Sequence, residues 1–436
     1  MILFWNMNSK KYLLVMMCVL LHGVLYAQQE KRFLKHHISI LTEPAMEGRG
    51  YVHKGNEKAA KYVVKNMKNY GLLSVMPDSA YLQSYYFAVN TFPDEVFVSI
   101  NKKVLATGAD YIVDAGSSSI NIERGRVKMI NLNKVKDTTQ WNTMKASFGG
   151  NHIYWLKGVD SFNKRMHTGM RHLAKELPAG CYIVPVHGKM TWTVATEQIP
   201  ATIIYTEDTV MPHYPRRGNV RIHAAMLPQN KNRNENVIAC VPGAVKDSFV
   251  VFTAHYDHLG RMGSNTYFPG ASDNASGTAM LLYLANYFSN SPQHYTMVFI
   301  AFSGEEAGLL GSDYFVQHPL IPLDHIRFLT NIDIMGDATD GVTVVNATEF
   351  PKEFSLLQRL NSASGYLPQI KSRGKAANSD HYHFTEAGVP SFFIYSNGGK
   401  GYYHDVFDTG ASLPFTNIEA AAKLFVAFAK ALNKPY

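Results

Sequence analysis

Apolar residues in the second half of the chain recur in short runs that have the length of buried strands, and runs of helical length lie between or after them. The strand-like runs are Val237–Val241, Ser248–Ala254, Thr296–Phe302, Arg327–Ile332 and Ser391–Tyr395, and the helical runs are Ala275–Phe288, Pro351–Ser362 and Ile418–Leu432. Thr416 and Glu419 have the spacing of a capping box before the last helix. This alternation predicts an α/β fold with a mostly parallel central sheet and helices on both faces.

The first and middle parts of the chain have different patterns. Apolar residues between Lys58 and Tyr70 recur at helical spacing and Gly71 supplies a stop, so residues 30–75 are predicted to be mostly helical. Residues from about 100 to 230 mix strand-like pieces with turns, which indicates an inserted β-rich domain. The pieces are Arg126–Ile130, Cys181–Val184 and Ala201–Tyr205. We predict the insertion at 101–230, between the parts of a main domain at 28–100 and 231–436.

The N-terminus has the pattern of an export signal. Lys10 and Lys11 precede the apolar run Tyr12–Tyr26, and the small residue Ala27 follows it. An uncleaved membrane anchor is the alternative, but the run is short for a span of about 20 residues and contains His22. We therefore expect a signal peptide at 1–27, no stable membrane span after its cleavage, and a periplasmic or extracellular mature protein.

Charge and cysteine content narrow the possible partners only slightly. The formal net charge is +8, and without two signal lysines it is about +6 (8 − 2). Lysine and arginine are dispersed, without a basic stripe interleaved with aromatics, so no nucleic-acid partner is expected. Cys181 and Cys240 remain after the signal and either pair or stay as buried thiols. The oligomeric state is left open by the sequence.

Acidic and imidazole side chains follow the predicted strands at the points where the strands end. They are His255, Asp257 and His258 after the second strand, Glu305 and Glu306 after the third, Asp333 after the fourth, His404 after the fifth, and Asp273 in a turn before a helix. Ligands of such sheets bind beyond the carboxyl ends of the strands. We therefore expect these side chains to meet at one edge of the sheet.

Each of these residues has a plainer explanation when it is taken alone. Asp273 has the position of a helix cap, and two glutamates in a loop are usually solvated. Together, however, so many donors at one edge would cost free energy unless a cation lay among them. Imidazole and carboxylate ligands suit zinc. Two histidines and three acids exceed the needs of one tetrahedral ion and suit two ions that share one carboxylate.

Six motifs in this order resemble the co-catalytic di-zinc peptidase family. They are His-Tyr-Asp at 255–257, Gly-Ala-Ser-Asp-Asn-Ala-Ser-Gly at 270–277, Gly-Glu-Glu-Ala-Gly-Leu-Leu-Gly-Ser at 304–312, Asn-Ile-Asp-Ile-Met-Gly at 331–336, Ser-Asp-His at 379–381 and Tyr-His at 403–404. The family includes secreted bacterial leucyl aminopeptidases, glutamate carboxypeptidase, glutaminyl cyclases and the transferrin receptor. The resemblance covers about 235–410 densely and 40–75 loosely, and it makes 231–436 the predicted zinc peptidase catalytic domain. The insertion resembles the family's protease-associated domain only weakly.

The resemblance implies a role for each matching residue. His255 and Asp333 would complete one zinc site, Glu306 and His404 the other, and Asp273 would bridge the two zinc ions. Glu305 would be the general base that activates a water shared by the ions. Tyr403 would stabilise the oxyanion, and Asp257 would support His255. Asp380, His381 and His258 lie in or near the motifs but receive no ligand role.

These roles imply an exported exopeptidase that acts on peptides, most simply an aminopeptidase that removes N-terminal residues. Three alternatives on the same fold stay open. A glutaminyl cyclase would need one zinc ion, a carboxypeptidase or dipeptidase would place a cation such as Arg261 or Arg373 near a substrate carboxylate, and an inactive binding module would have lost ligands. The insertion has three possible roles, which are to screen substrates, to form a dimer contact or to stabilise the fold.

Overall fold

The computed structural model describes residues 29–76, 78, 80–149, 152–208 and 219–434. The predicted signal peptide at 1–27 lies outside these residues. No helix in the described ranges has both the length and the apolar character that a membrane span requires.

Two sheets, ten α-helices, a short hairpin and several single helical turns make up the described regular structure. The strands are β1 (Leu82–Thr91), β2 (Val96–Ile100), β3 (Lys103–Val104), β4 (Tyr111–Val113), β5 (Ile120–Asn131), β6 (His152–Lys157), β7 (Gly180–Val186), β8 (Ala201–Glu207), β9 (Val220–Ala224), β10 (Leu227–Val241), β11 (Gly243–His255), β12 (Gly260–Arg261), β13 (Tyr267–Phe268), β14 (Gln293–Phe302), β15 (Ile326–Ile332), β16 (Val342–Val345), β17 (Ile370–Ser372) and β18 (Ser391–Ser396). The helices are α1 (29–41), α2 (Gly55–Asn69), α3 (Thr138–Ala146), α4 (Val159–Arg165), α5 (Met170–Glu176), α6 (Gly277–Ser289), α7 (Leu310–Gln317), α8 (Pro351–Ser364), α9 (His381–Glu386) and α10 (Ile418–Leu432).

The main sheet has eight strands in the order β1-β10-β14-β11-β15-β18-β16-β17. Its centre, β14-β11-β15-β18, is parallel. Strands β1 and β10 add antiparallel pairs on one side, and β16 pairs antiparallel with β18 on the other. The predicted α/β fold with a mostly parallel central sheet is confirmed.

Alternate residues of β11 show why these strands are apolar almost throughout. Val250 and Phe252 pack into a cluster with α1, α2, α6, α8 and α10, whereas Phe249 and Val251 pack into a second cluster with α7 and α9. Successive strand side chains point to opposite faces, so a strand covered on both faces buries every side chain. Each buried Val or Phe side chain contributes about 1.5–3 kcal/mol. Burial on both faces leaves the strand ends as the places where polar side chains are tolerated.

The insertion forms a second eight-stranded sheet with its own core. Its order is β3-β2-β9-β5-β6-β7-β8-β4, and β5, β6, β7 and β8 run parallel. Helices α3 to α5 cover one face through a cluster that includes Trp141, Phe162 and Leu173. The predicted boundary at residue 101 falls between β2 and β3 of this sheet, and the boundary at 230 falls within β10. We propose that the inserted unit is the segment from Val96 to Ala224.

Two local features differ from the simplest interpretation of the sequence. Asn417 caps α10 with a positive φ of 56° and no side-chain capping bond, so the capping box predicted from Thr416 and Glu419 is wrong. Cys181 and Cys240, for which pairing was left open, are both buried free thiols. Burial raises the pKa of Cys181 to about 12 and that of Cys240 to about 11.

Candidate active site

The carboxyl ends of the central parallel strands bring the predicted site residues to one edge of the main sheet. His255 is the last residue of β11 and lies level with Phe302, the last residue of β14. Glu305 and Glu306 follow β14, and Asp333 follows β15 directly. His404 lies in the loop after β18, and Asp273 lies in the turn before α6.

The first cluster of donors surrounds the Nε2 atom of His255. This atom lies 3.2 Å from Oδ1 of Asp333, 3.4 Å from Oδ1 of Asp273 and 4.0 Å from Oε2 of Glu305. On the other side of the ring, Nδ1 lies 3.3 Å from the backbone oxygen of Asp257 and 3.7 Å from its Oδ1. The two ring nitrogens therefore have different tasks, since Nδ1 faces a supporting acceptor and Nε2 faces three acids.

The second cluster surrounds Glu306. Its Oε2 lies 3.0 Å from Nε2 of His404, and its Oε1 lies 2.7 Å from Nδ1 of His258. His404 Nε2 is also 3.1 Å from Oδ2 of Asp273. His258 is thus closer to this cluster than the sequence alone indicated, because its ring touches the carboxylate of Glu306 directly.

Asp273 joins the two clusters through its two carboxylate oxygens. Its Oδ1 faces His255, and its Oδ2 faces His404. Asp408 holds the backbone of this turn by accepting from the amides of Ser272 and Asp273. Asp273 is buried. This geometry suits a carboxylate that bridges two neighbouring cations.

The electrostatics of the edge favour positive charge. Burial by itself lowers the pKa of His404, but Glu306 and Asp273 outweigh it and raise that pKa to about 11. Burial likewise disfavours ionised Glu306, yet His404 and His258 lower its pKa to about 2. Burial raises the pKa of Glu305 well above its ordinary value, and Glu306 and Asp333 add to this although His255 opposes it.

Unsatisfied nitrogens at the edge agree with a metal centre. Among the described residues, Nε2 of His258 is buried and forms no hydrogen bond, and Nε2 of His404 lies close to Glu306 and Asp273 without an aligned hydrogen bond to either. Two groups have the donor types and spacing of a metal site, namely His255 with Glu305 and Asp333, and His258 with Asp273 and Glu306. Buried unpaired nitrogens beside several carboxylates are costly without a cation. The donor set therefore fits zinc, which takes imidazole nitrogen and carboxylate oxygen ligands.

Tyr51 and Ser379, to which the sequence assigned no role, hold the acids of the site in place. Tyr51 donates to Oδ2 of Asp257 at 3.0 Å, and Asp257 Oδ1 accepts the amide of Glu305 at 3.3 Å. Ser379 donates to Oδ2 of Asp333 at 2.9 Å. Within the Ser-Asp-His motif it is thus the serine that touches a site residue. Asp380 is buried beside it, and burial raises its pKa to about 7.

A cavity of about 330 Å³ opens onto the acids. Asp273, Glu305, Asp333 and Tyr403 line the side next to the clusters. The remaining wall is formed by Ile334, Arg373, Asn378, Phe393 and Tyr395. Partial burial and the neighbouring carboxylates raise the pKa of Tyr403, so its hydroxyl keeps its proton at neutral pH. The cavity places a neutral phenol and three carboxylates around one space.

The comparisons with known proteins agree with this architecture. Residues 236–429 match the family model described as Peptidase family M28, so this part of the chain is similar to that family. The resemblance indicated by the motifs is therefore confirmed for this part of the chain, and it agrees with the predicted class of enzyme, a metallopeptidase.

Sequence relatives match part of the chain, and a solved structure matches nearly all of it. Aminopeptidase YwaD of Bacillus subtilis is 29% identical over 206 residues, which are 44% of this chain and 44% of the relative. A probable leucine aminopeptidase of Trichophyton verrucosum is 28% identical over 46% of this chain and 56% of its own length. The chain spans about half the length of the curated relatives it matches. BSAP, a zinc aminopeptidase from Bacillus subtilis, shares the fold at 18% identity, with a TM-score of 0.67 over 93% of this chain and 95% of that chain.

Proposed function

We propose that the protein is a zinc-dependent aminopeptidase that removes N-terminal residues from peptides, and that it works after export with its signal peptide removed. The observation that carries this proposal is the buried carboxylate of Asp273, whose two oxygens face histidines of two separate donor clusters. Sequence relatives named aminopeptidases support the type of reaction. The export step rests on the N-terminal sequence pattern alone.

We assign two zinc ions to this edge. His255 and Asp333 would hold one ion, Glu306 and His404 would hold the other, and Asp273 would bridge them. Zinc bound there would supply Lewis acidity, which lowers the pKa of a coordinated water and polarises the substrate carbonyl. His258 would act on Glu306, because a proton on its Nδ1 engages Oε1 and leaves Oε2 facing His404.

Glu305 is the proposed general base and acid. Its carboxylate lines the cavity 4.0 Å from Nε2 of His255, where it would take a proton from water and return it to the leaving amine when the peptide bond breaks. The Asp257 carboxylate fixes the Glu305 backbone through the amide hydrogen bond. The hydroxyl of Tyr403 would donate a hydrogen bond to the carbonyl oxygen as negative charge develops there.

The cavity has charges of both signs, because Arg373, a cation of the kind that a carboxypeptidase would use, lies in its wall with the acids. It is the names of the sequence relatives that favour an aminopeptidase. The carboxylates of Glu305 and Asp333 line it, and they would attract a free ammonium group. Ile334, Phe393 and Tyr395 supply mostly apolar surface beyond these acids. We therefore propose that the pocket accepts an N-terminal residue with an apolar or aromatic side chain.

The test combines substrate blocking with metal counting. Purified protein is given an unblocked leucyl or phenylalanyl dipeptide amide and its N-acetylated form, while zinc per chain is measured by elemental analysis. We expect two zinc ions, cleavage of the free amine and loss of that cleavage on acetylation. Equal cleavage of both peptides would contradict the aminopeptidase assignment. One zinc ion together with cyclisation of an N-terminal glutamine would favour a glutaminyl cyclase instead.

A further inference from the structure

We propose that the inserted unit positions the catalytic edge, and that Lys189 and Trp192 hold the loop that carries Tyr403 and His404. This inference rests on the proposed function, because it assigns a task to residues near the proposed zinc ligand His404. It gives the insertion a direct part in the chemistry and not only in the shape of the entrance. We use the name ligand loop for residues 397–408.

A pair of hydrogen bonds joins Trp192 of the insertion to His404 of the ligand loop. Nδ1 of His404 lies 2.7 Å from the backbone oxygen of Trp192, and the amide of Trp192 donates to the backbone oxygen of His404 at 3.2 Å. When Nδ1 donates its proton to this carbonyl, Nε2 is the nitrogen that faces Asp273 and Glu306 and would bind zinc. A metal-ligating histidine commonly has its other nitrogen fixed by such a carbonyl, which sets its tautomer and orientation.

Lys189 makes a second attachment three residues earlier in the insertion. Its ammonium group donates to the backbone oxygens of Gly401 and Tyr403. The ligand loop contains Gly399 and Gly401, whose φ angles of 83° and 70° lie in the left-handed region. Glycine loses much conformational freedom when it is fixed, so a loop of this kind gains order from external hydrogen bonds.

Trp192 is itself fixed by the core of the insertion. Its indole Nε1 donates to the backbone oxygen of Val113 at 2.8 Å. Its ring stacks on Phe268 with centroids 4.7 Å apart and meets Phe92 edge-on at 5.5 Å. Phe268 belongs to the main domain, between β11 and α6, so one aromatic cluster spans both units. The carbonyl that orients His404 therefore sits on a rigid support.

The contact with the ligand loop predicts a specific effect of removing the lysine ammonium. Lys189→Met keeps much of the apolar stem but loses both hydrogen bonds to the loop. We expect zinc affinity, measured by competition with a chelator, to fall about 10- to 100-fold for one of the two ions and to change little for the other. Lys189→Arg retains a donor and should recover part of the loss.

A second readout does not depend on zinc or on activity. Hydrogen exchange of the amides in residues 397–408 is compared between metal-free wild type and metal-free Lys189→Met. We expect faster exchange in the ligand loop of the variant, with unchanged exchange in β11 and β14. Trp192→Phe keeps the ring stacking but loses the indole hydrogen bond, and it should loosen the same loop. Lys128→Met, at an exposed lysine on β5, is the matched control and should behave as wild type.

The outcomes separate this inference from the proposed function. Wild type that binds zinc and cleaves peptides, with Lys189→Met equal to it in zinc affinity and loop exchange, would overturn the positioning role alone. Wild type that binds no zinc would overturn the proposed function. In that case the hydrogen-exchange comparison still tests whether Lys189 holds the ligand loop. Unchanged exchange in Lys189→Met would contradict that role.

Discussion

Two adjacent glutamates after β14 have different surroundings although they are neighbours in sequence. Glu306 contacts His258 and His404, whereas Glu305 lies toward His255 and Asp333. The backbone of Glu305 is tied to Asp257, so the two side chains diverge into separate donor clusters. Distance alone leaves Glu305 near enough to serve as a ligand, and its role as a base must be tested by substitution.

Glu305→Gln separates a base from a ligand. The amide keeps the size of the side chain but cannot take a proton from water. We expect two zinc ions to remain bound and kcat to fall about 10²- to 10⁴-fold. Elemental analysis and steady-state kinetics check both parts. Loss of one zinc ion in this variant would make Glu305 a ligand and remove it as the base.

Substitution of the two histidines near Glu306 distinguishes a ligand from a supporting residue. His404→Ala removes a nitrogen that faces both Asp273 and Glu306, and we expect one zinc ion per chain and little turnover. His258→Asn keeps a hydrogen-bond donor for Glu306, and we expect two ions with reduced affinity. Zinc titration monitored by calorimetry measures both. The reverse pattern would exchange the roles of the two histidines.

Some residues of the site have no sequence signal because they act through the backbone. Trp192 orients His404 through a carbonyl oxygen, which every residue type carries. Arg49 is fully buried and donates to the backbone oxygens of Leu41, Tyr256 and Pro269. Because every residue type has a backbone oxygen, the sequence could not predict these partners either. The charged residues at strand ends were predictable only as a set, because so many donors at one edge of the sheet would be costly without a cation.

At the scale of elements, the sequence predicted the buried strands of the main sheet better than it predicted the short elements. The five predicted strands of the main sheet lie within β10, β11, β14, β15 and β18, since burial on both faces gives each a largely apolar run. The four short elements β16, β17, α7 and α9 were not predicted. They are too short to show a period, and tertiary contacts stabilise them. The capping box predicted at the start of α10 is wrong, because the spacing of Thr416 and Glu419 does not determine the backbone angles of the residue that precedes the helix, Asn417.

The packing of α1 on α2 predicts a pH dependence of stability. His37 on α1 is buried, with Nδ1 2.6 Å from the hydroxyl of Tyr62 and Nε2 3.0 Å from that of Tyr70. Burial and neighbouring His36 lower the pKa of His37 from 6.5 to about 4. The unfolded chain therefore binds the proton more tightly, and stability that is full above pH 6.5 is lost as pH falls toward 4, by ~3 kcal/mol.

His37→Gln isolates this contribution, because glutamine does not titrate. We expect the difference in unfolding free energy between wild type and variant to shrink by ~3 kcal/mol between pH 7 and pH 4. Urea unfolding of chelator-treated protein measures it without interference from metal loss. A difference that is independent of pH would contradict the lowered pKa.

At the scale of the whole molecule, zinc is expected to stabilise the fold. The catalytic edge gathers acids that repel one another when no cation lies between them. Zinc bound at two sites at high saturation should raise the melting temperature by ~5–10 °C, and a chelator should reverse the rise. Differential scanning fluorimetry checks this, and His404→Ala should show a smaller rise. No shift in wild type would contradict the assignment of zinc to this edge.

The whole molecule also shows what the sequence could and could not say about the insertion. Its strand-like pieces at Arg126–Ile130, Cys181–Val184 and Ala201–Tyr205 lie within β5, β7 and β8. Its contact with His404 joins residues 212 positions apart, and no local period reports such a pairing. The sequence therefore left the role of the insertion open, and the proposal for it rests on the contact between Trp192 and His404 in the folded protein.

The buried Arg49 carries a consequence for the order in which the molecule assembles. Its guanidinium donates to Pro269 and Gly270, more than 200 residues later in the chain, and its burial becomes favourable only when those carbonyls are in place. Closing so long a loop costs entropy before the contact forms, so we predict that this contact forms late in folding. In refolding experiments, helical signal should therefore return before peptide cleavage does. Catalytic competence would thus report completion of the fold.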